Sequence, residues 1–161
     1  MAEQEQAAEK TLAISKIYLK DFSFESPQAP AVFRRSDWKP QTNLNLRSSH
    51  ATVDGDVHEI VLTITVEAKD DDQTLFLVEI QQAGLFEIVG YDGEELAAIA
   101  GSFCPNILFP YAREAVAATI QKGGFPEFVL QPINFDALYM QSKQQAATAQ
   151  AEAAAPQTET H

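Results

Sequence analysis

A single cysteine, Cys104, stands in a chain of 161 residues. No intramolecular disulfide can form, which suits a reducing compartment. With no base near it in sequence, the thiol reads as a buried structural residue rather than a nucleophile. Positive charge is also scarce: Lys and Arg total 11 against 23 Asp and Glu, a net charge of −12. That balance argues against nucleic acid and anionic membranes and favours basic partners or clients. His50, His58 and His161 are scattered along the chain, and no Cys/His spacing resembles a metal site. No apolar run approaches the ~18 residues of a membrane span. There is no Gly-x-Ser-x-Gly elbow and no phosphate loop ending in Lys-Ser/Thr. The acids are numerous, but without geometry they describe only a solvated surface. The start, Met1-Ala-Glu-Gln-Glu-Gln, lacks the basic and apolar regions of a signal peptide. These absences predict a soluble, intracellular protein that offers surfaces but no reaction centre, cofactor site or metal site.

Residues 1–10 read as a disordered polar arm, and the Ala/Gln-rich residues 143–161 as a disordered tail. Between them, 11–142 form one domain large enough to bury its own core. Thr11 to Glu25 looks extended. Leu12 and Ile14 share one parity, Ile17 and Leu19 the other, and Phe22 and Phe24 the first again. A flat strand cannot bury all six on one face, so either bulges or contacts on both faces are required. Ser26 to Pro40 is a stiff loop with Pro27, Pro30 and Pro40, carrying Val32, Phe33 and Trp38. Trp38 there is either a contact residue or a seal on the core edge. Thr42–Ser48 alternates as a short strand, His50–Asp56 reads as a turn region, and Val57–Ala68 is a β-branched strand. A charged hairpin, Lys69–Gln73, leads into Thr74–Val89.

That last strand has two unlike rows. Phe76, Val78, Ile80, Phe86 and Ile88, with Gln82 among them, belong to the core or an obligate interface. Leu75, Leu77, Glu79, Gln81, Leu85 and Glu87 mix leucines with acids, as a docking surface or as scattered solvent-facing residues. Ala83-Gly84 marks a bulge or a close backbone approach. Asp92-Gly-Glu-Glu95 has capping-box spacing before a short helix, Leu96–Ala100, ended by Gly101. Pro105 and Pro110 read as breaks at Cys104 and Phe109, making 102–114 a linker that is either buried or meets another chain. A helix from Pro110 to Lys122 stops at Gly123-Gly124. Its Ala112, Ala115, Ala117 and Ala118 are small enough to admit a second helix, though alanine is also simply a good helix former. A final helix starts near a capping Asn134, presents Phe135, Leu138 and Tyr139, and turns polar at Gln141.

Several stretches together resemble the SecB family of bacterial protein-export chaperones. The most specific is Phe103-Cys-Pro-Asn-Ile-Leu-Phe-Pro-Tyr-Ala-Arg-Glu114. Ile17-Tyr-Leu-Lys-Asp-Phe-Ser-Phe-Glu25, Gln82-Ala-Gly-Leu-Phe86, Phe125-Pro and Pro132-Ile-Asn-Phe-Asp-Ala-Leu138 follow in the family's order and spacing. The likeness covers roughly 11–142. It implies an α+β fold: a four-stranded antiparallel sheet with helices packed on one side, assembling as a dimer of dimers, a homotetramer. It implies ATP-independent holding of unfolded secretory precursors in the cytoplasm, kept competent for translocation and passed to the SecA ATPase, with no nucleic-acid partner and no direct membrane insertion. SecA contact is implied at Asp21, Glu25, Leu77 and Glu79. Phe33 and Trp38 would lie in the client groove. Phe76, Val78, Ile80 and Gln82 match positions tied to oligomer packing and client binding. The Ala/Gln-rich tail departs from the family, which puts its part in SecA contact in doubt.

The physics suits that role. Aromatic walls read exposed apolar side chains without demanding a sequence, and several weak sites on one oligomer act together on one long client. Binding only the unfolded state opposes folding by mass action. Two other readings fit the pattern of the residues: a small ligand-binding oligomer with a site at a dimer seam, and an adaptor for folded partners.

Overall fold

The computed structural model describes residues 9–154. The expected arm at 1–8 and the last part of the expected tail, 155–161, lie outside the described residues. Four antiparallel strands, β1 (Thr11–Glu25), β2 (Gln41–Asp54), β3 (Val57–Asp70) and β4 (Gln73–Val89), form one sheet in the order β1-β4-β3-β2. The helices α1 (Gly93–Ala98), α2 (Cys104–Lys122) and α3 (Phe135–Ala154) follow. The α+β class and the four-stranded antiparallel sheet expected from sequence are what the structure has.

The parity puzzle of β1 resolves through bulges. The register slips by one residue between Ile14 and Lys16 and again between Leu19 and Asp21. Each slip inserts one unpaired residue, Ser15 or Lys20, and turns the following side chains over. Leu12, Ile14, Ile17, Leu19, Phe22 and Phe24 therefore sit opposite Ile88, Phe86, Gly84, Gln82, Ile80 and Val78 in turn. All six share the helix-facing side. Without the bulges two of them would point the other way.

Ile60, Leu62, Ile64, Val66, Val78, Ile80 and Phe86 are inaccessible to solvent and pack with Leu108, Ala112, Val116 and Ile120 of α2. Burying each large side chain contributes about 1.5–3 kcal/mol. Gln82 is the polar member of this layer, and its amide nitrogen donates to the Tyr18 carbonyl at 3.0 Å. Gly84 is where the helix comes closest: a Cβ there would stand 2.6 Å from Phe86 and 3.0 Å from Leu108. Close approach, not a bulge in β4, explains that glycine. The bulge of β4 is at Leu75, between the pairs Ala68/Phe76 and Lys69/Thr74, and it carries Leu75 into the core and out of the acid-and-leucine row.

The segment 102–114 is not a linker. A π-helical turn, Ile99–Phe103, joins α1 to α2 without a stop at Gly101, and Pro110 lies inside α2. Pro105 falls in the first turn of α2, where a missing N–H costs least. Pro110 faces solvent, as does Asn106, so water can hydrate the carbonyl that Pro110 leaves without its helical donor. Gly101 serves a close approach rather than a stop, since a Cβ would meet Tyr139 of α3 at 2.6 Å. The expected capping box at Asp92 makes no side-chain cap bond. Asn134 does cap α3, accepting from the Ala137 N–H at 3.0 Å.

Two elements run longer than expected. β2 continues through His50 to Asp54, because full-length pairing with β3 outweighs its weak local propensity. Helix α3 runs to Ala154 where a disordered tail from 143 was expected, carried by the helix propensity of Ala, Gln, Glu and Lys. Its last twelve residues are exposed.

Helix α2 ends in a Schellman motif: Phe125 N–H bonds to Ile120 O at 3.2 Å and Gly124 N–H to Gln121 O at 3.0 Å, with Gly124 at φ +87°. Against this end rest Phe24, where a Gly123 Cβ would fall, and Phe33, 2.9 Å from where a Gly124 Cβ would fall. Gly123→Ala should therefore displace Phe24 and destabilise the fold by about 1–3 kcal/mol, read as a lower midpoint in chemical denaturation.

Candidate functional site

Helix α2 lies over β4 and β3 and leaves the inner faces of both edge strands incompletely covered. Two open troughs result. On the β1 side, Leu19, Phe22 and Phe24 face Ala115, Ala118, Thr119 and Gly123 across about 630 Å³, with Glu114 and Lys122 on the rim. Phe22 is 57% and Leu19 44% exposed. The alanines divide: Ala112 is buried on its own sheet, while Ala115 and Ala118 floor this trough. On the β2 side, Leu46 and Leu62 face Ala100, Phe135, Leu138 and Tyr139 across about 620 Å³.

At one end of the β1-side trough, Phe24 opens into an aromatic cluster. Phe125, released from α2 by the two glycines, is its hub. Ring centroids of Phe76, Phe33, Trp38 and Phe24 lie 4.9, 5.4, 5.6 and 6.4 Å from that of Phe125. Such tilted aromatic contacts are favourable beyond their area. The loop 26–40 reaches this cluster through a 3-10 turn, Ala31–Arg34, whose Val32 plugs the core. The Trp38 ring N–H donates to the Val32 carbonyl at 3.1 Å. Trp38 is half-buried against the core while Phe33 remains 45% exposed, so the loop both seals the core edge and presents an aromatic surface.

Phe76, Val78, Ile80 and Gln82 are buried within the single chain beneath α2 and offer no surface of their own. Their influence on any partner must pass through the position of α2 and, for Phe76, through Phe24 and Phe125.

The other face of the sheet is different. Glu25 pairs with Leu77, Ser23 with Glu79 and Asp21 with Gln81, so Asp21, Glu25, Leu77 and Glu79 form one patch of the outer face. Glu67 pairs with Leu77 from the other side and was not picked out from sequence. Only the register could have added it. Thr65 Oγ1 donates to Glu79 at 3.2 Å and Thr74 Oγ1 to Glu67 at 2.8 Å. These bonds hold both carboxylates along the sheet surface. Leu77 is thus a half-buried apolar spot bordered by acids.

Further along that face the charge is neutralised. Glu59 accepts from Lys20 Nζ at 2.7 Å and from the Tyr18 hydroxyl. Those two bonds hold its carboxyl below the ordinary range. Burial and the bond to Glu59 push the Tyr18 hydroxyl up to about 12. At Glu59 the negative charge is therefore compensated locally. Burial also pushes the Cys104 thiol up to about 12, as an inert structural thiol requires.

His50 and His58, scattered in sequence, are brought together by the β2–β3 register, with His50 Nε2 2.8 Å from His58 Nδ1. Among the described residues no cluster of three or more His, Cys, Asp or Glu could hold a metal ion, and no helix is long and apolar enough to cross a membrane.

The family model described as preprotein translocase subunit SecB matches residues 4–146. The protein-export protein SecB of Nitrosococcus oceani is 53% identical over 142 residues, covering 88% of this chain and 87% of its own length. That of Alcanivorax borkumensis is 50% identical over 148 residues, covering 90% and 92%. Among solved structures, a Mycobacterium tuberculosis SecB-like chaperone in complex with a ChAD peptide from an antitoxin shares the fold at a TM-score of 0.64. It is 20% identical and covers 76% of this chain and 90% of its own.

His50 gives the β2-side trough a pH signature. Burial, then the neighbouring His58, lower its pKa from the ordinary 6.5. The unfolded chain takes up a proton near 6.5 that the folded chain resists, so this contribution is present above 6.5 and lost as pH falls below it. The thermal midpoint should drop between about pH 7.5 and about pH 5.5, and His50→Gln should shrink that drop.

Proposed function

Because the chain belongs to the SecB family of protein-export chaperones, we propose that it holds unfolded precursor polypeptides in the cytoplasm without ATP or any catalytic step and yields them to SecA. One observation supports this reading above the others. A single sheet carries exposed apolar and aromatic surface beside α2 on one face and an acid-bordered leucine, Leu77, on the other.

The client side in this proposal is the aromatic loop with Phe33 and Trp38, joined through Phe24 to the β1-side trough beside α2. Exposed Phe22, Leu19 and Phe33 provide area without a fixed pattern of polar partners, so many sequences can be accepted. Ala115 and Ala118 give the β1-side trough a shallow floor that suits the approach of another helix, and the free edge of β1 can extend the sheet. We assign those two features to self-association into a dimer of dimers. Phe76, Val78, Ile80 and Gln82 then act indirectly, by setting where α2 and Phe125 stand.

The SecA side is the patch of Asp21, Glu25, Leu77 and Glu79, to which the register adds Glu67. A basic segment carrying an apolar residue complements it, with the residue on Leu77 and the charges around it. Because these acids are exposed or half-exposed, docking should weaken with salt.

Glu79→Lys should reduce SecA affinity, as measured by calorimetry, by about ten-fold or more at low salt. It should leave affinity for an unfolded precursor nearly unchanged, because the substitution lies on the opposite face. An unchanged SecA affinity would remove this surface from the docking site.

A further inference from the structure

The loop 26–40 carries both aromatic residues assigned to clients, yet the sheet holds it at few points. Its backbone hydrogen bonds are internal: Ala29 to Ser26, Val32 to Gln28, Phe33 to Pro30 and Arg35 to Val32. The Trp38 ring bond to Val32 is internal as well. Among the described residues, two side-chain bonds tie the loop to the sheet. Ser26 Oγ donates to the Leu75 carbonyl at 3.3 Å, where the loop begins. Arg35 Nη2 donates to Asp70 Oδ2 at 3.0 Å, between Phe33 and Trp38.

The second tie has unusual surroundings. Asp70 ends β3, just before the two-residue turn Asp71-Asp72, whose residues both have positive φ (46° and 65°). Its side chain is only 9% exposed, and among the described residues Arg35 is the cation within 4 Å of it. Neighbouring Lys69 instead reaches Glu67, at 3.6 Å. Arg35 also spans back to Asp37 at 3.4 Å, so one guanidinium joins the loop to itself and to the hairpin. A buried carboxylate without its cation is strongly disfavoured, which makes the pairing specific to this loop position. A planar guanidinium can bond both acids at once, and an ammonium cannot reproduce that geometry.

We propose that Arg35, clamped on Asp70, is a positioning residue for client binding: it fixes the half of the loop that holds Trp38 against Phe125 and keeps Phe33 at the surface. This rests on the assignment of Phe33 and Trp38 to the client surface. Release of the clamp frees residues 35–40 from the hairpin while Val32 stays plugged in the core. The aromatic wall then loosens without unfolding of the sheet.

Trp38 is the sole tryptophan of the chain, so acrylamide quenching of its fluorescence reads the loop directly. The test uses the full chain, with reduced and alkylated ribonuclease A as the unfolded probe. Arg35→Gln should raise Trp38 quenching about two-fold and weaken probe affinity about three- to ten-fold, with far-UV circular dichroism unchanged. Arg35→Lys should recover only part of the affinity, and Asp37→Asn little of the effect. The exchange Arg35→Asp with Asp70→Arg should restore both quenching and affinity above either single substitution. Unchanged quenching in Arg35→Gln overturns the clamp, as does strict additivity in the exchange. Raised quenching with unchanged probe affinity, while Trp38→Ala does weaken the probe, overturns the positioning role alone. Raised quenching with neither Arg35→Gln nor Trp38→Ala altering the probe overturns the client assignment beneath it.

Discussion

The two bulges of β1 are the constraint on which both surfaces depend. Six large apolar residues occur at spacings that a regular strand would split between two faces. Ser15 and Lys20, each inserted without a partner, restore them to one face. The same correction sends Lys16, Tyr18, Asp21, Ser23 and Glu25 to the other face. Were Lys20 paired in a regular ladder instead, Asp21 and Glu25 would turn toward α2 while Phe22 and Phe24 turned outward. The acid-bordered patch and the aromatic trough would be lost together. In that sense they are one feature of one strand, seen from opposite sides.

Packing explains why the helix face is not simply a closed core. One long helix can cover the two central strands of a twisted four-stranded sheet but not its edges. The residues under α2 are sealed, and those beside it stay partly wet. Closing the edges would take more helix than the chain supplies, because α3 leaves the sheet after its first turns and its later residues contact no core. An apolar strand edge left in this state is an aggregation hazard for an ordinary protein. In the proposed reading, where the chain assembles with its own copies and binds unfolded chains, it is working surface. The net charge of −12 opposes association of copies through that surface by mutual repulsion.

How much of this could be read from sequence follows from which forces are local. The strands β3 and β4, their two rows, the stop at Gly123-Gly124 and the cap at Asn134 were legible because alternation and turn chemistry act over a few residues. The parity of β1 left bulges or contacts on both faces as alternatives, and the register with β4 decides for bulges at Ser15 and Lys20. The failures lie where tertiary contacts override local preference. Pro105 and Pro110 read as breaks, but solvent can satisfy the carbonyl freed by Pro110, and the preceding π-turn delivers Pro105 to a first turn. Leu75 looked like part of the outer row until a bulge turned it inward. His50 and His58 looked unrelated because register, not spacing, joins them. Phe76, Val78, Ile80 and Gln82 read as core or obligate interface, and the single chain buries all four. Glu67 reaches Leu77 only across the sheet, so no scan along the chain would have added it to the patch.

A chaperone without nucleotide must release what it holds by competition, and the arrangement of the two faces suggests how that remains possible. Clients and SecA engage opposite sides of the same strands in the proposed reading, so one need not displace the other to dock. The contacts also differ in kind. The client side works through many apolar contacts, each weak and none tied to one sequence, so a client can leave segment by segment. The SecA side works through charge around one apolar spot, which speeds encounter and weakens with ionic strength. Phe24 and Glu25 are adjacent in β1, one in the aromatic cluster and the other in the acidic patch. A shift of the strand end on docking would be felt at Phe24, and through it at Phe76 and Phe125. The distance between the two functions is therefore the thickness of one sheet, and the coupling between them needs no pathway longer than a peptide bond and a ring contact.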